Sequence, residues 1–327
     1  MLHATIAGTG RAVPDRILSN ADLEKMVETT DEWITSRTGI RERRMAGPDD
    51  ILSDFCVRAA RLALEDAGVA PMDLDTIILA TCTPDHPIPG AAPVVQQKLG
   101  AKRAAAFDLN AACSGWLYGL HVADGLVQAG KAKSVLLIGA EFLTRFTDYT
   151  DRGTCVLFGD GAGATVLKAT ASDHGVLSTA IRTDGEGACF IYMPGGGSTH
   201  PPNRPETLEA RLTYIQMKGG ETFKTAIRSM VDVCKEVLAE SGFTEDDVAW
   251  LLPHQANERI LTATADRLRI PAERCMNNIG RYGNTSAASI PIALDEYARD
   301  GRIKRGDLIL ITAFGGGLTW GAGLVRW

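Results

Sequence analysis

Short apolar runs rich in β-branched and aliphatic residues alternate along this chain with longer stretches of helical periodicity. Strands joined by helices in this way are typical of an α/β fold. In the first half the predicted strands are 76–81, 104–109, 134–140 and 162–167. In the second half they are 248–252, 275–277, 307–313 and 319–325.

The two series of strands are spaced alike. The steps from Thr76 to Ala104 to Ser134 are 28 and 30 residues, and those from Val248 to Met276 to Asp307 are 28 and 31. The match predicts two halves of the same topology, covering residues 1–172 and 173–327.

Three chemically suggestive residues follow predicted strands: Cys113, His254 and Asn284. Cys113 and Asn284 each lie where a helix is predicted to begin, at 115–127 and 286–297. Because α/β sheets build their sites at the carboxyl ends of strands, we expect the three side chains to converge.

A thiol, an imidazole and a neutral amide together suffice for acyl transfer through a thioester. At a helix N-terminus we expect the pKa of the Cys113 thiol to fall below its usual value of about 8.5. His254 and Asn284 are predicted as neutral donors that hold an enolate oxygen without quenching it. Taken singly, each residue is more often a core or capping residue, so the prediction depends on the set.

Glycine-rich segments add to this picture. Residues 314–317, Phe-Gly-Gly-Gly, follow an apolar strand, and their backbone N–H groups suit an oxyanion hole or, alternatively, a tight turn. Segments 8–13 and 159–163 lack the pattern of a nucleotide-binding loop. The long Gly- and Pro-rich stretch 184–218 is predicted to cover part of a substrate channel.

Composition narrows the function classes. The net charge of −6 argues against general nucleic-acid binding, although local basic runs such as Arg43 and Arg44 remain. The seven cysteines are scattered without Cys-x-x-Cys or His-x-x-x-His spacing, so we expect neither a disulfide scaffold nor a metal site. Without an apolar leader or a long apolar run, we expect a cytoplasmic protein that does not enter membranes.

The motifs resemble those of the β-ketoacyl-[acyl-carrier-protein] synthase III family, within the thiolase-fold superfamily. The resemblance covers nearly the whole length, and its most specific motif is Pro253-His254-Gln255-Ala256-Asn257. Further matching segments are 29–34, 37–40, 150–154, 158–163 and 314–321. The resemblance implies a five-layered αβαβα fold with two pseudo-duplicated halves, active as a homodimer.

The resemblance also implies a reaction and roles. Cys113 takes an acyl group from acyl-CoA, and malonyl-acyl-carrier protein then loses carbon dioxide and condenses with it, without a further cofactor. His254 and Asn284 hold the malonyl thioester oxygen, and the N–H groups of Cys113 and Gly316 form the oxyanion hole. Residues expected along CoA are Trp33 and Arg152, on either side of the adenine, with Arg37, Thr38 and Asn257.

Acyl carrier protein is acidic, so a basic patch is expected to dock it. Family matching implies Lys224, Arg259, Gln255 and Ala256 for this contact, and Lys218 and Arg228 as further candidates. The acyl pocket is expected to contain Leu143, Phe314 and, from the partner subunit, Ile88. Many acetyl-selective relatives carry phenylalanine at the last position, so Ile88 predicts room for a longer or branched primer.

Three alternatives stay open from the sequence. One is a related condensing enzyme of a secondary pathway, which shares the same chemistry. Another is a papain-like hydrolase, which also orders its residues Cys, His and Asn. The third is a non-catalytic acyl-binding module that keeps the fold.

Overall fold

The computed structural model describes residues 2–327, with only the backbone of residue 221 included. Its strands are β1 (His3–Ala12), β2 (Ile17–Ser19), β3 (Glu42–Arg44), β4 (Thr76–Ala80), β5 (Ala105–Leu109), β6 (Ser134–Phe142), β7 (Asp160–Thr170), β8 (Gly175–Thr183), β9 (Ile191–Tyr192), β10 (Gln216–Met217), β11 (Trp250–Pro253), β12 (Leu308–Gly315) and β13 (Thr319–Arg326). Its helices are α1 (Asn20–Leu23), α2 (Asp31–Thr38), α3 (Leu52–Ala67), α4 (Ala91–Leu99), α5 (Gly115–Gln128), α6 (Arg152–Cys155), α7 (Pro205–Glu209), α8 (Gly219–Ser241), α9 (Glu258–Arg267), α10 (Ile279–Tyr282) and α11 (Ser289–Arg299).

Two sheets with matching topology organise the chain. The first has the order β1-β7-β6-β4-β5, and the second has the order β8-β13-β12-β11. Strand β6 of the first sheet and strand β12 of the second occupy equivalent places. In the first sheet β6 runs antiparallel to β7 and parallel to β4. In the second sheet β12 runs antiparallel to β13 and parallel to β11. The first sheet ends with β7 at Thr170 and the second begins with β8 at Gly175, on either side of the division predicted at 172/173.

Helices cover both sheets and fill the space between them. Helices α3 and α4 pack on the outer face of the first sheet, and α8 with α9 packs on the outer face of the second. Helices α5 and α11 lie between the sheets, in a core that includes Trp116, Leu120 and Ile290. The predicted α/β fold with a five-layered αβαβα arrangement is confirmed.

Buried apolar runs account for these strands. Every residue of β4, β6 and β12 is buried, because helices lie on both faces of each sheet. This is why the runs read as continuous apolar segments instead of alternating ones.

Three local predictions need correction. Residues 275–277 do not form a strand; Cys275 makes only an isolated bridge to Leu251, since the chain turns at once toward α10. The helix predicted at 286–297 begins as a 3-10 turn, Ser286–Ala288, before α11. The stretch 184–218 contains short elements, among them the β9–β10 ribbon and α7.

Candidate active site

Cys113 lies in a 3-10 turn, Ala112–Ser114, directly before α5. Two hydrogen bonds fix this turn to the start of β13: Ser114 Oγ donates to the carbonyl of Thr319 at 3.0 Å, and Thr319 Oγ1 donates to the carbonyl of Ala111 at 2.9 Å. The sulfur is therefore positioned by the second sheet although its helix belongs to the first half.

Asn284 enters the site through a close backbone contact. Its N–H donates to the Leu157 carbonyl at 2.9 Å, and its carbonyl accepts from Gly159 N–H at 3.0 Å. A Cβ at Gly159 would lie 2.2 Å from the Tyr282 carbonyl oxygen, so the glycine permits this approach. The glycine-rich segment at 159–163 thus serves packing.

The turns before α5 and α11 are built alike. Asn110 Oδ1 accepts from Ala112 N–H at 3.2 Å, and Asn284 Oδ1 accepts from Ser286 N–H at 2.9 Å. Ala112 and Ser286 both have positive φ, 45° and 49°. The counterpart of Asn284 is therefore Asn110 rather than Cys113, which refines the pairing drawn from strand positions. Because its oxygen is occupied, Asn284 has its amide donors left for a ligand.

His254 follows β11 and is buried, with an exposed fraction of 2%. Its Nδ1 lies 2.6 Å from Ser289 Oγ, and the same oxygen accepts the N–H of Gln255 at 3.3 Å. With Ser289 Oγ–H as the donor to Nδ1, the proton of the neutral ring lies on Nε2. Burial lowers the pKa of His254 to about 3, so the ring is a neutral donor.

The pKa of Cys113 runs against the sequence expectation. Burial raises it to about 11, and hydrogen bonding from Ser286 and from the backbone of Cys113 and Gly316 offsets only part of the rise. The negative charge of Glu141 adds to it. The expected lowering of the pKa at a helix start is wrong here, because desolvation outweighs the groups that lower the pKa.

The backbone of β12 lies against the Cys113 turn. A Cβ on Gly315 would lie 2.7 Å from the backbone nitrogen of Cys113, so only glycine allows this proximity. The backbone N–H groups of Cys113 and Gly316 lie close enough to the sulfur to lower the pKa of the thiol. These are the two groups that the family resemblance assigns to an oxyanion hole.

Two cavities meet at Cys113. The Trp33 cavity, about 310 Å³, brings together Cys113, His254 and Asn284 and extends to Trp33, Arg37, Thr38, Ala256, Asn257 and Phe314. The Leu143 cavity, about 470 Å³, extends from Cys113 past Leu143, Phe146, Phe158 and Met193 and includes Gly316. Ile191, in the stretch 184–218, lines both cavities. Leu143 and Phe314, both predicted for the acyl pocket, thus lie in different cavities.

Most residues predicted to contact CoA gather around Trp33. The guanidinium carbons of Arg37 and Arg152 each lie 4.8 Å from the centre of its ring. Arg152 contacts Trp33 directly, so a base can lie between them only after Arg152 swings away. Asn257 caps α9 and donates to the Arg37 carbonyl at 3.0 Å, while Thr38 is buried with its hydroxyl on the Ile34 carbonyl.

Exposed cations flank the same cavity. Lys224 and Arg228 lie on α8, Arg259 lies on α9 with its guanidinium carbon 5.4 Å from the ring centre of Phe223, and Lys218 precedes α8. Gln255 does not join this surface. It is buried and its side chain bonds the carbonyls of Pro253 and Met276 and the N–H of Asn278, so its predicted contact with carrier protein is wrong.

Ile88 lies outside both cavities of its own chain, with 89% of its surface exposed. The segment that carries it is held near β5, because Asp108 accepts the N–H groups of Ala91 and Ala92 at 2.7 and 2.6 Å.

Sequence reasoning missed three polar residues of the site: Ser289, Ser286 and Glu141. Glu141 lies one residue before the end of β6, after a run of apolar residues, and accepts hydrogen bonds from Thr83 and Cys82 while fully buried. A charged residue within such a run was the available signal. The hydroxyls of 286 and 289 gave no signal, because serine is ordinary at a helix start.

Among the side chains described, no group of three or more His, Cys, Asp or Glu is arranged to hold a metal ion. Within residues 2–327, no helix has both the length and the apolar character needed to span a membrane.

The alternative of a papain-like hydrolase does not fit this geometry. In that arrangement the asparagine orients the histidine. Here the histidine is held by Ser289 and the asparagine oxygen by the N–H of Ser286.

Comparisons with known proteins agree with the geometry. Residues 107–185 match the family described as 3-oxoacyl-[acyl-carrier-protein (ACP)] synthase III, and residues 238–327 match its C-terminal domain. The chain is 51% identical over 325 residues to a β-ketoacyl-[acyl-carrier-protein] synthase III of Roseiflexus sp. (strain RS-1), covering 99% of this chain and 98% of the relative.

Solved structures give the same result. The 3-oxoacyl-[acyl-carrier-protein] synthase III of Aquifex aeolicus VF5 superposes with a TM-score of 0.92 at 49% identity, covering 99% of this chain and 100% of that one. The corresponding enzyme of Pseudomonas aeruginosa PAO1 gives 0.92 at 40% identity, covering 99% and 98%. The chain therefore belongs to the β-ketoacyl-[acyl-carrier-protein] synthase III family.

Proposed function

We propose that this chain condenses an acyl-CoA primer with malonyl-acyl-carrier protein, giving 3-oxoacyl-carrier protein, carbon dioxide and CoA, and so initiates fatty acid synthesis. The observation that carries the proposal is the meeting of one nucleophilic sulfur and two neutral donors where two cavities join. A thiol can hold an acyl group, and neutral donors can hold an enolate.

In the first half-reaction the Cys113 sulfur attacks the thioester carbon of the primer and CoA leaves. The N–H groups of Cys113 and Gly316 converge near the sulfur, which supports their role in holding the oxyanion of the tetrahedral intermediate. Malonyl-carrier protein takes no part in this half-reaction.

In the second half-reaction malonyl-carrier protein loses carbon dioxide, and the enolate carbon attacks the acyl group on Cys113. His254 Nε2–H and the Asn284 amide hold the developing enolate oxygen. Burial keeps His254 neutral, so it donates a hydrogen bond without providing a strong acid that would protonate the carbanion.

The two cavities have complementary uses in this scheme. The Trp33 cavity connects the sulfur with exposed arginines, which suits the phosphates and base of CoA and the phosphopantetheine arm of the carrier. The Leu143 cavity is lined by Phe146, Phe158 and Ile215 and suits the hydrocarbon part of the primer.

Carrier protein docks beside the Trp33 cavity. Lys224, Arg228 and Arg259 project from two adjacent helices next to its rim, and an acidic partner is steered by such a patch even though the whole chain is net acidic.

The active form is a homodimer joined along β5. This strand forms an edge of the first sheet, pairs only with β4 among the described residues, and leaves Phe107 39% exposed. Because Asp108 holds the 88–92 segment to β5, pairing of two β5 edges carries Ile88 toward the partner's acyl cavity.

The test is to measure carbon dioxide and 3-oxoacyl product from malonyl-carrier protein with straight and branched acyl-CoA primers. We expect turnover that is lost in Cys113→Ala and Asn284→Ala. Turnover with branched or longer primers only would move the enzyme to another lipid or secondary pathway, and no condensation with any primer would refute the proposal.

A further inference from the structure

The proposed chemistry leaves one buried titratable group next to the site without a role. Glu141, near the end of β6, has an exposed fraction of 0%. Its carboxylate accepts from Thr83 Oγ1 at 2.6 Å, from Cys82 N–H at 3.1 Å and from Thr81 Oγ1 at 3.3 Å. No cation pairs with it in the part of the chain that the structure describes.

A hydroxyl links this carboxylate to the nucleophile. Ser286 Oγ donates to Glu141 Oε1 over 3.4 Å, and Ser286 lines the Leu143 cavity beside Cys113, where its hydroxyl lowers the pKa of the thiol. When the Ser286 proton points to Glu141, its oxygen is left to accept the thiol proton. The order thiol, hydroxyl, carboxylate is the one that proton transfer away from the sulfur requires.

The position of Ser286 is held rigidly. Its φ of 49° is rare for a residue other than glycine, and its N–H is bonded to Asn284 Oδ1 at 2.9 Å. Residues kept in such conformations occur often at functional sites, where the surroundings over-determine them.

His254 is not suited to accept the proton of the Cys113 thiol. Its Nδ1 is occupied by Ser289, and its pKa of about 3 makes it a poor acceptor for the proton of a thiol whose own pKa is about 11. Burial raises the pKa of Glu141 to about 7, which makes it the stronger base of the two. The other titratable groups facing Glu141 are thiols, namely Cys82, on the segment after β4, Cys56 on α3, and Cys113 itself.

We propose that Ser286 and Glu141 form a proton relay that activates and later reprotonates Cys113. As the sulfur bonds to the primer's acyl carbon, the thiol proton passes to Ser286 Oγ and the Ser286 proton passes to Glu141, while CoA leaves as a thiolate that solvent protonates. When the new carbon–carbon bond forms, the Cys113–acyl bond breaks and the sulfur leaves as a thiolate. It takes the proton back from Glu141 through Ser286, which restores the starting state.

This inference rests on the proposed function, since it assigns the acyl group to Cys113. Ser286 lies beside the reacting Cys113 on the wall of the Leu143 cavity, and Glu141 acts through Ser286. A purely structural role for Glu141 would lower activity equally at all pH values, whereas a relay makes acyl uptake depend on the protonation of one carboxyl.

The experiment measures the rate at which radiolabelled acetyl-CoA, or isobutyryl-CoA where that labels faster, transfers its acyl group to the full-length protein between pH 5.5 and 10. We expect the rate to rise through an inflection close to neutral pH. In Glu141→Gln and Ser286→Ala the rate at pH 7 falls about 100-fold, the inflection disappears, and the difference narrows at high pH where hydroxide removes the proton. The double variant loses no more than either single one.

Thr83 offers a matched pair of variants that leave the relay intact. Its hydrogen bond lowers the pKa of Glu141, so Thr83→Val moves the inflection to higher pH and Thr83→Ser leaves it in place. If Glu141→Gln does not fold, the two Thr83 variants and Ser286→Ala still test whether Glu141 sets the pH dependence of acyl uptake. Ala112, at φ 45°, shows that alanine can adopt the backbone conformation that Ser286 occupies.

Two results would overturn the relay: Glu141→Gln and Ser286→Ala profiles that keep the inflection, or an inflection that Thr83→Val leaves unmoved. Failure of the proposed function gives a different result, because the unmodified protein would then take up no label, or Cys113→Ala would take up as much label as the unmodified protein.

Discussion

At the residue scale, burial favours the uncharged form of both Cys113 and His254. It raises the pKa of the thiol to about 11 and lowers that of the imidazole to about 3, so the uncharged form of each is favoured. The pair is therefore a thiol and a neutral ring, and not a thiolate–imidazolium ion pair. Charge develops only when substrate arrives.

The Cys113 thiol should consequently react slowly with small alkylating reagents at neutral pH. We expect the rate of iodoacetamide labelling at Cys113 to keep rising above pH 9, because the thiolate is the reactive form. Peptide mass spectrometry reads this rate, with the exposed Cys189 labelled in the same sample for comparison. A rate that levels off below pH 8 would contradict the raised pKa.

Ser289 should matter for the enolate step. In Ser289→Ala the Nδ1 of His254 loses its donor, so the ring proton is no longer held on Nε2. We expect condensation to fall about 10- to 100-fold while acyl uptake by Cys113 stays within a few-fold, with partial recovery in Ser289→Thr, which retains the hydroxyl. Equal loss in both half-reactions would indicate general disruption instead.

At the element scale, the site is made where helices begin and strands end. The turns before α5 and α11 share an asparagine oxygen that accepts the N–H two residues on, a positive φ and a 3-10 turn, and they bring Cys113 and Asn284 to one place from the two halves. The end of β12 closes the third side. Backbone geometry here decides whether the N–H groups converge on the sulfur.

A methyl group at Gly315 tests this closeness. In Gly315→Ala the new Cβ would meet the Cys113 nitrogen at 2.7 Å, so the turn must shift. We expect acyl uptake to fall about 100-fold, because misplacement of a nucleophile by about 1 Å costs that much.

Gly125, within α5, provides the control. A Cβ there meets nothing within 4 Å, so Gly125→Ala should leave acyl uptake unchanged and stabilise the helix by about 0.5–1 kcal/mol. Single-turnover labelling together with thermal unfolding separates the two variants. Similar kinetics for Gly315→Ala and the unmodified chain would show that the turn tolerates displacement.

At the scale of the whole molecule, two similar sheets enclose α5 and α11 and place one half's nucleophile against the other half's donors. Neither half holds a complete site. The same dependence on a second unit applies at the exposed edge β5. The loop that carries Ile88 is fixed beside this edge, where a second copy of the chain can contact it.

A charge on the β5 edge should separate the proposed dimer. Phe107→Asp places a carboxylate where an apolar ring is 39% exposed, and burying it without a partner is unfavourable. We expect light scattering at micromolar concentration to show a dimer for the unmodified chain and a monomer for the variant. The exposed Ile17 lies on β2, outside the first sheet, so Ile17→Asp should remain dimeric. A monomeric unmodified chain would remove the basis for assigning Ile88 to a partner's pocket.

The sequence by itself predicted the strands β4 to β7 and β11 to β13, the repeated halves, and Cys113, His254 and Asn284 as the candidate set, but it missed β1 and β8. Strands covered on both faces must be apolar throughout, and polar residues at their ends then stand out, so local pattern was sufficient.

Only the tertiary structure decided which groups meet and in which protonation state. Glu141 and Ser286 are 145 positions apart, and His254 and Ser289 are 35 apart, so no local pattern links them. Contacts between distant parts of the chain also explain three departures from the sequence predictions. These are the raised pKa of Cys113, the burial of Gln255 and the absence of a strand at 275–277. Desolvation and hydrogen bonding depend on neighbours that the fold brings together from distant parts of the chain.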